Sequence, residues 1–381
     1  MTSLLPIFQK KLLFLISLVY FVIAFGLLFY FGINNGGEAF KYLLDAKSIT
    51  QNNRLSYGEF SYFFLTYSLF LSFFIKFKIS LWVVGIFQLL LSYAAAYSLY
   101  KLVLNKSANY FLSVFIFFSY LFSYLIQKWN FFIYSESIHT SLVVIGFCVF
   151  VNLLHKYSTK NLFYFIVLSI AIITTRPVGV LFLLAAYLTF MYNCFSKKQH
   201  RIVWLSLVIG VVLCTAVLNS PVRYFINPDS LKRMELICMV PQEGSTAVYT
   251  QFNRTGIIGA FKVIKNDIGF SNFFTTGIQK LKLFFGIVRP YYSLRNNIFL
   301  ATNWLFYPFV FIGIFFNRHK EYTLIKTFSI LILLITSAGI FVTCDDWSNR
   351  FIAPVFPFVI VLATQGLYTL IKIEKYFNKK L

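Results

Sequence analysis

Two carboxylates beside a long apolar run are the residues whose type and spacing first suggest chemistry. Glu38 follows two glycines and Asp45 lies seven residues later, within the polar stretch INNGGEAFKYLLDAKSITQNNRLSYGEF of residues 33–60. Residues seven apart fall near one face of an α-helix. A carboxylate can take a proton from a hydroxyl group. The pair therefore predicts either an acid–base site or two solvated charges on an amphipathic surface helix.

Three further polar groups lie at the ends of apolar runs. Charged side chains at such ends reach water at low cost, so a simple anchor at the membrane surface is one interpretation of each group. The groups are Tyr134-Ser135-Glu136-Ser137 with His139, Thr174-Thr175-Arg176-Pro177, and Asp345-Asp346-Trp347-Ser348-Asn349-Arg350. His139, alone on an apolar face, is typical of a packed histidine.

The composition predicts an all-α integral membrane protein and excludes an ordinary soluble domain. The 381 residues are 59% hydrophobic, 21% aromatic and only 12% charged. The five cysteines have no C-x-x-C spacing, which indicates neither a metal site nor a disulfide framework. No cofactor is predicted, and a divalent metal, although chemically compatible, has no supporting motif.

The apolar runs predict about ten transmembrane helices. A membrane helix needs roughly 20 apolar residues. Leu162 to Tyr192 is too long for one crossing and is interrupted by Arg176-Pro177, so we expect two short limbs that meet there. The other eight predicted spans are Leu12–Gly32, Ser80–Tyr100, Tyr110–Ile126, Phe131–Leu154, Val203–Leu218, Ile298–Phe316, Thr327–Val342 and Phe351–Ile371.

The distribution of Lys and Arg decides whether the ambiguous segment Ser61 to Ile75 crosses. If it does not cross and the N-terminus is cytoplasmic, short inside loops carry sixteen basic residues and short outside loops carry eight. A crossing would reverse this bias, against the positive-inside rule. We therefore expect residues 33–79 to form a first outer loop of short interfacial helices. Three regions follow: a membrane module (1–218) that includes this loop and the Arg-Pro hairpin, a long outer loop (219–297) and the C-terminal helices (298–381).

This topology explains the net charge of +22 and locates the acids. The basic inner surface is attracted to anionic lipid headgroups, so no nucleic-acid partner is required. Ten of the twelve acids face outward in this arrangement. A site that mixes carboxylates with cations is therefore expected on the extracytoplasmic face, and both termini are expected in the cytoplasm.

Four segments resemble motifs of the GT-C superfamily of polytopic glycosyltransferases, of the protein O-mannosyltransferase or aminoarabinose transferase type. GEAFKYLLDAKSI resembles their first-loop pattern G-D/E-x-x-x-Y-x-x-x-A, and YSESIHTSLVVIGF resembles their S/T-E-x-L-F start of a span. TTRPVGVLFLLAAYL is similar to the R-P-x-G-x-x-L-L-L hairpin, and NRFIAPVFPFVIVLA to the R-Y-x-x-P-x-x-P start of a late span. The four occur in the order that the family requires.

The resemblance implies an inverting transfer of a sugar from a polyprenyl-phosphate donor to a lipid, glycan or protein acceptor. It places a base or orienting acid at Glu38, with Asp45 as a rival. The donor phosphate would meet Arg176, Arg350 or Arg54. Glu136, Tyr42 and Asp346 would support them. Independently of the resemblance, the proximity in sequence makes Asp345 or Asp346 the expected neutralising partner of Arg350.

Two other classes remain open. An O-antigen-type polymerase would centre its catalysis in the long loop, at Arg223, Arg233 or Arg254. A lipid-linked glycan flippase or transporter is the other alternative, although the apolar runs are almost bare of the charges that ion-coupled carriers keep in mid-membrane. The abundance of Phe and Lys is typical of an AT-rich bacterium, in which the protein would lie in the cytoplasmic membrane and act in cell-envelope glycan biosynthesis.

Overall fold

The computed structural model describes residues 5–56, 58–219, 261–317, 319–341, 343 and 349–377. This part of the chain is helical and contains no β-strand. Its α-helices are α1 (Leu5–Phe31), α2 (Ala39–Asn52), α3 (Leu65–Lys76), α4 (Leu81–Ser107), α5 (Tyr110–Leu121), α6 (Tyr124–Gln127), α7 (Ser135–His155), α8 (Thr159–Thr175), α9 (Gly179–Ser196), α10 (His200–Asn219), α11 (Phe270–Gly286), α12 (Leu294–Ala301), α13 (Phe306–Phe315), α14 (Thr323–Ile340) and α15 (Phe356–Phe377). Short 3₁₀-helices cover Gly58–Phe64, Lys128–Phe131, Thr302–Leu305 and Lys320–Tyr322, and a π-helix covers Ile264–Ile268.

The long apolar helices make this an integral membrane protein. Six helical stretches in the described part have the length and composition of a span, and a seventh is reached if α5 and the Tyr124–Phe131 stretch, bent by 46°, form one span. The six are Gln9–Phe31, Leu81–Ser107, Ser135–His155, Gly179–Ser196, Leu294–Phe315 and Lys320–Ile340. Helices also occupy the three other predicted spans, as α8, α10 and α15. The apolar parts of α8 and α15, Thr159–Thr175 and Phe356–Lys372, are shorter than the others.

The first loop contains short helices that pack on the end of the bundle. Ala39, Tyr42 and Ala46 form the buried face of α2, at the spacing expected for one side of a helix. They join a separate hydrophobic core with Tyr67 and Leu71 of α3. At 1.5 Å per residue the twelve residues of α3 reach roughly 18 Å, too short for a bilayer core of about 30 Å.

The predicted break between the two limbs is present between α8 and α9. Proline disfavours the helical conformation of the residue before it. Arg176 accordingly has extended backbone angles (φ −156°, ψ 144°), and α9 begins at Gly179. The break places the Arg176 side chain at the tip of a helical hairpin.

The main core lies between α4, α5, α7, α9, α14 and α15. Phe147 of α7, Phe328 of α14 and Phe358 of α15 form a triangle of rings, with centroids 4.8, 5.2 and 5.3 Å apart. Glu136 lies in the first turn of α7, and Arg350 lies shortly before α15. Because this core packs α7 and α15 together, it fixes the relative positions of both residues.

The second half of the long loop contains α11, which covers the amphipathic piece expected at Phe274 to Ile287. Residues 220–260, with Arg223, Arg233 and Arg254, lie outside the described residues. The next apolar stretch begins at Leu294, slightly before the expected Ile298.

Candidate functional site

Arg350 joins the first loop to the start of α7. Its Nη2 lies 2.9 Å from Oε2 of Glu38, and Nη1 donates to Oε1 of the same carboxylate. Its Nε lies 2.5 Å from Oε1 of Glu136. One guanidinium therefore contacts two carboxylates, one of them 312 positions away in sequence.

Two more cations complete what we call the charge cluster: Glu38, Lys41, Glu136, Arg176 and Arg350. Lys41 Nζ lies 2.8 Å from Oε2 of Glu38. Nη1 of Arg176 lies 2.9 Å from Oε1 of Glu136, as an ion pair without hydrogen-bond alignment. Among the described residues, three cations face two carboxylates, which leaves one positive charge in excess. The Glu136 side chain is fully buried, whereas Glu38 is 14% exposed, so Glu38 is the more accessible of the two carboxylates.

A turn that requires glycine positions Glu38. Gly37 has φ +61°, and a Cβ there would lie 2.6 Å from the hydroxyl of Tyr134. That hydroxyl accepts a hydrogen bond from the backbone N–H of Glu38 and donates to the carbonyl of Gly36, both at 3.2 Å. Tyr134 thereby ties the turn before α2 to the residues before α7.

Backbone pairing holds the same two segments together. The N–H of Asn34 donates to the carbonyl of Phe131 at 2.7 Å, and Ile133 donates to the carbonyl of Asn34 at 2.9 Å. The Asn34 side chain accepts a hydrogen bond from the N–H of Gly36 at 2.9 Å. The position of Glu38 is thus fixed by contacts with the segment that leads to Glu136.

Buried amides hold the turn before α7. Nε2 of Gln88, in the interior of α4, donates to the carbonyls of Asn130 and Phe132 at 3.0 Å each. Asn130 accepts a hydrogen bond from the Ser137 hydroxyl. Glu136 lies in the first turn of α7, where the helix dipole favours a negative charge.

The electrostatics of the cluster keep Glu38 ionised. Burial by itself would raise the pKa of this carboxyl, but the hydrogen bonds from Arg350 and the charge of Lys41 outweigh burial and lower its pKa to about 2. Burial opposes the charged form of Arg350, yet the two carboxylates raise its pKa well above the usual range. Burial would lower the pKa of Lys41, but the interactions with Tyr42 and with the Glu38 carboxylate outweigh burial, so its pKa is raised.

A small cavity of ≈ 30 Å³ lies beside the cluster, lined among others by His139, Arg176 and Arg350. A space of this size holds about one water molecule. Nδ1 of His139 and Nε of Arg176 are buried without a hydrogen-bond partner. The cavity is therefore a place where a water molecule would satisfy buried polar atoms, and it is too small for a phosphate group.

Asp45 and Arg54, two other predicted site residues, lie outside the charge cluster. Asp45 is buried, and its Oδ1 accepts hydrogen bonds from the Ser56 N–H at 2.8 Å and the Ser61 hydroxyl at 3.0 Å. Those contacts hold the chain after α2. Arg54 is exposed beyond the far end of α2, on the order of 20 Å from Glu38 at the rise of a helix.

Tyr42 lies next to the cluster, with its hydroxyl 3.1 Å from that of Ser135, so it connects α2 to the first residue of α7. Asp345 and Asp346, the expected partners of Arg350, lie outside the described residues. In the structure, the guanidinium group of Arg350 donates hydrogen bonds to Glu38 and Glu136.

Sequence reasoning missed Lys41 as a member of the site. Its position three residues after Glu38 was an available signal, because residues three apart are neighbours on a helix surface. No group of three or more His, Cys, Asp or Glu side chains in the described ranges is arranged to hold a metal ion. Within the charge cluster, the groups with the charge to bind an anion are its three cations, Lys41, Arg176 and Arg350.

Comparison of the chain with protein-family models, curated proteins and solved structures gives no match.

Proposed function

We propose that this protein is a membrane glycosyltransferase that moves a sugar from a polyprenyl-phosphate donor to an acceptor hydroxyl on the extracytoplasmic face. The observation that carries the proposal is the convergence of four separate sequence segments on the charge cluster. Glu38, Glu136, Arg176 and Arg350 come from the four segments that resemble GT-C motifs. The ten-crossing topology and the outward position of the cluster remain part of this proposal and rest on the Lys and Arg counts.

Glu38 is the base in this reaction. The acceptor hydroxyl loses its proton to the Glu38 carboxylate while its oxygen bonds to the anomeric carbon. The bond from that carbon to the phosphate oxygen breaks, and its electron pair leaves with the lipid phosphate. Attack opposite the leaving group inverts the anomeric centre.

Cations of the cluster stabilise the leaving phosphate. The phosphate gains negative charge as the bond breaks, and fixed guanidinium groups stabilise that charge. The Arg350 side chain is 12% exposed, and its fork can bind two phosphate oxygens once the phosphate displaces the Glu38 carboxylate from it. The excess positive charge of the cluster favours an anion even before the reaction begins.

The ion pairs couple donor binding to activation of the base. With a pKa of about 2, Glu38 is a weak base as long as Arg350 and Lys41 hold its oxygens. A donor phosphate competes for these cations, and loss of their contacts raises the pKa of Glu38. The carboxylate thus becomes a better proton acceptor when the donor is bound.

The test is transfer of labelled sugar from membrane polyprenyl-phosphate-sugar pools to endogenous acceptors. We expect Glu38→Gln to lower the rate of transfer at least 100-fold, which is the usual contribution of a general base, while Glu38→Asp retains part of the rate. Asp45→Asn, seven positions later and within α2, is the matched neutralisation and acts on folding yield. All variants are compared at equal amounts of folded protein.

Full transfer by Glu38→Gln would overturn the assignment of the base. Loss in Asp45→Asn alone, with folding retained, would move the base to that residue. Full activity in both variants would direct the search to the long loop and to the polymerase alternative.

A further inference from the structure

A second, larger site lies away from the charge cluster. We call it the lateral groove: a cavity of ≈ 870 Å³ between α1, the 121–132 segment and residues 293–299. Pockets for small molecules span about 300–1,000 Å³, so its volume is that of a ligand site. Ile23, Leu27 and Phe31 of α1 line it and are themselves exposed. Since α1 is a candidate span, the groove opens sideways toward the hydrocarbon of the membrane.

The length of the groove matches one leaflet. Its lining on α1 extends from Tyr20 to Phe31, which at 1.5 Å per residue is roughly 17 Å. The bilayer core is about 30 Å thick, so the groove covers about half of it. That is the depth of the acyl chains of a single bilayer leaflet.

The charged residues among the described part of the groove lining are both positive. They are Lys128 and Arg295, and no described residue of the lining is Asp or Glu. Lys128 Nζ packs over the rings of Trp129 at 4.9 Å and Tyr124 at 5.6 Å from their centroids, which limits the orientations of the Lys128 side chain. Arg295 is exposed and has no ion pair with the described residues. Two cations at an apolar groove complement the phosphate of an anionic amphiphile.

The described lining of the groove shares no residue with the charge cluster. The lining residue nearest to Glu38 in sequence is Asn34, whose backbone pairs with Phe131 and Ile133. This lack of shared residues, and the leaflet-sized length, favour a lipid of the bilayer over a polyprenyl-phosphate substrate.

We propose that the lateral groove binds an anionic phospholipid of the membrane, with its phosphate at Lys128 and Arg295 and an acyl chain along α1. The headgroup would lie against Asn34, whose side chain holds Gly36, two residues before Glu38. Bound lipid therefore stabilises the turn that positions Glu38. This binding does not depend on the proposed transferase activity.

The test is native mass spectrometry of the full chain in detergent, titrated with phosphatidylglycerol or phosphatidylcholine of the same acyl chains. Wild type is expected to retain one phosphatidylglycerol molecule and to bind phosphatidylcholine more weakly. Lys128→Gln with Arg295→Gln is expected to weaken phosphatidylglycerol binding on the order of 30-fold, because a cation near the headgroup typically contributes a factor of about five. Arg295→Gln alone is the second variant, since this exposed side chain can be changed without loss of the fold.

The matched control is Lys47→Gln with Lys76→Gln, which removes the same charge from exposed positions outside the groove lining. Equal binding of the two lipids by wild type would overturn the proposal, as would equal weakening in the control. Selective retention of an endogenous polyprenyl phosphate would also overturn it and make the groove a substrate site.

Discussion

At the scale of single residues, Arg350 is the side chain on which the charge cluster depends. Its guanidinium has nitrogens on both Glu38 and Glu136, and Arg176 is the only other described cation paired with Glu136. Removal of one partner from a buried ion pair costs about 3–5 kcal/mol, because the remaining charge stays buried without compensation. An ammonium group cannot reproduce the planar fork that contacts two carboxylates.

Arg350→Gln is therefore expected to lower the free energy of unfolding by about 3–5 kcal/mol, and Arg350→Lys by a smaller amount. Arg54→Gln is the control, because this exposed arginine lies outside the cluster and should change stability by no more than about 0.5 kcal/mol. The measurement is the unfolding free energy of purified protein in detergent. Equal stability of Arg350→Gln and Arg54→Gln would show that the cluster contributes nothing to the fold.

The pH dependence of stability follows from Glu38. Its pKa is about 2 in the folded protein against an ordinary value of 4.5. The ion pairs of Glu38 therefore stabilise the fold above about pH 4.5, by on the order of 3 kcal/mol, and this stabilisation is lost as the pH falls toward 2. Wild type should lose thermal stability over this range more steeply than Glu38→Gln.

Thermal unfolding of both proteins between neutral pH and about pH 3 measures that difference. Glu321→Gln, at an exposed acid outside the cluster, serves as the control and should follow the wild-type curve. Parallel curves for wild type and Glu38→Gln would contradict the assigned ion pairs.

At the scale of elements, the turn before α2 decides where Glu38 lies. A side chain at Gly37 meets two obstacles: a left-handed backbone with φ +61°, and the Tyr134 hydroxyl 2.6 Å from the added Cβ. The left-handed conformation alone costs a non-glycine residue about 1–2 kcal/mol. We expect Gly37→Ala to destabilise the protein by at least this amount and to impair the proposed transfer.

Gly36→Ala is the control that meets neither obstacle. Its added Cβ would meet only the Asn34 side chain, at 3.3 Å, and its φ is not positive. The double variant Gly37→Ala with Tyr134→Phe removes the hydroxyl but keeps the backbone strain, so only part of the stability should return. Thermal unfolding of the variants distinguishes these cases. A Gly37→Ala protein as stable as Gly36→Ala would refute the proposed turn.

The elements themselves were largely predictable, whereas the contacts between them were not. Long apolar runs and Arg176-Pro177 predict helices and a break, because membrane length and the geometry before proline act locally. The prediction that pairs Arg350 with Asp345 or Asp346 lies outside the described residues and stays a prediction, whereas the contact of Arg350 with Glu38 was not predicted. Side chains 312 positions apart meet only through the packing of several helices, and runs that are apolar on every face do not encode how those helices rotate.

At the scale of the whole molecule, a close crossing of α13 and α15 helps to place Arg350. A Cβ at Gly313 would overlap the carbonyl oxygen of Leu362, and one at Gly366 would overlap that of Phe309. The two glycines face each other across the contact, since a Cβ at Gly366 would also lie 3.0 Å from the N of Gly313. Small residues allow the backbones of two membrane helices to approach closely. Van der Waals packing then holds the helices together, because the hydrophobic effect does not drive association within lipid.

We therefore expect Gly313→Ala and Gly366→Ala each to destabilise the protein by about 1–3 kcal/mol, the usual cost of overpacking. The double variant should cost less than the sum of the two, because the first substitution already separates the helices that the second would push apart. The shift of α15 should also displace Arg350, which precedes it, and so weaken the pairing with Glu38.

Gly339→Ala in α14 is the matched control, because its added Cβ would meet Leu181 at an ordinary 3.8 Å. Thermal unfolding of the four variants tests the packing, and the acid dependence of their stability tests its link to the charge cluster. If the crossing positions Arg350, the Gly366→Ala protein should lose part of the Glu38-dependent stabilisation at neutral pH, whereas Gly339→Ala should retain all of it. Retention of that stabilisation in Gly366→Ala, despite a lower unfolding temperature, would mean that the residues between Arg350 and α15 absorb the displacement before it reaches the cluster.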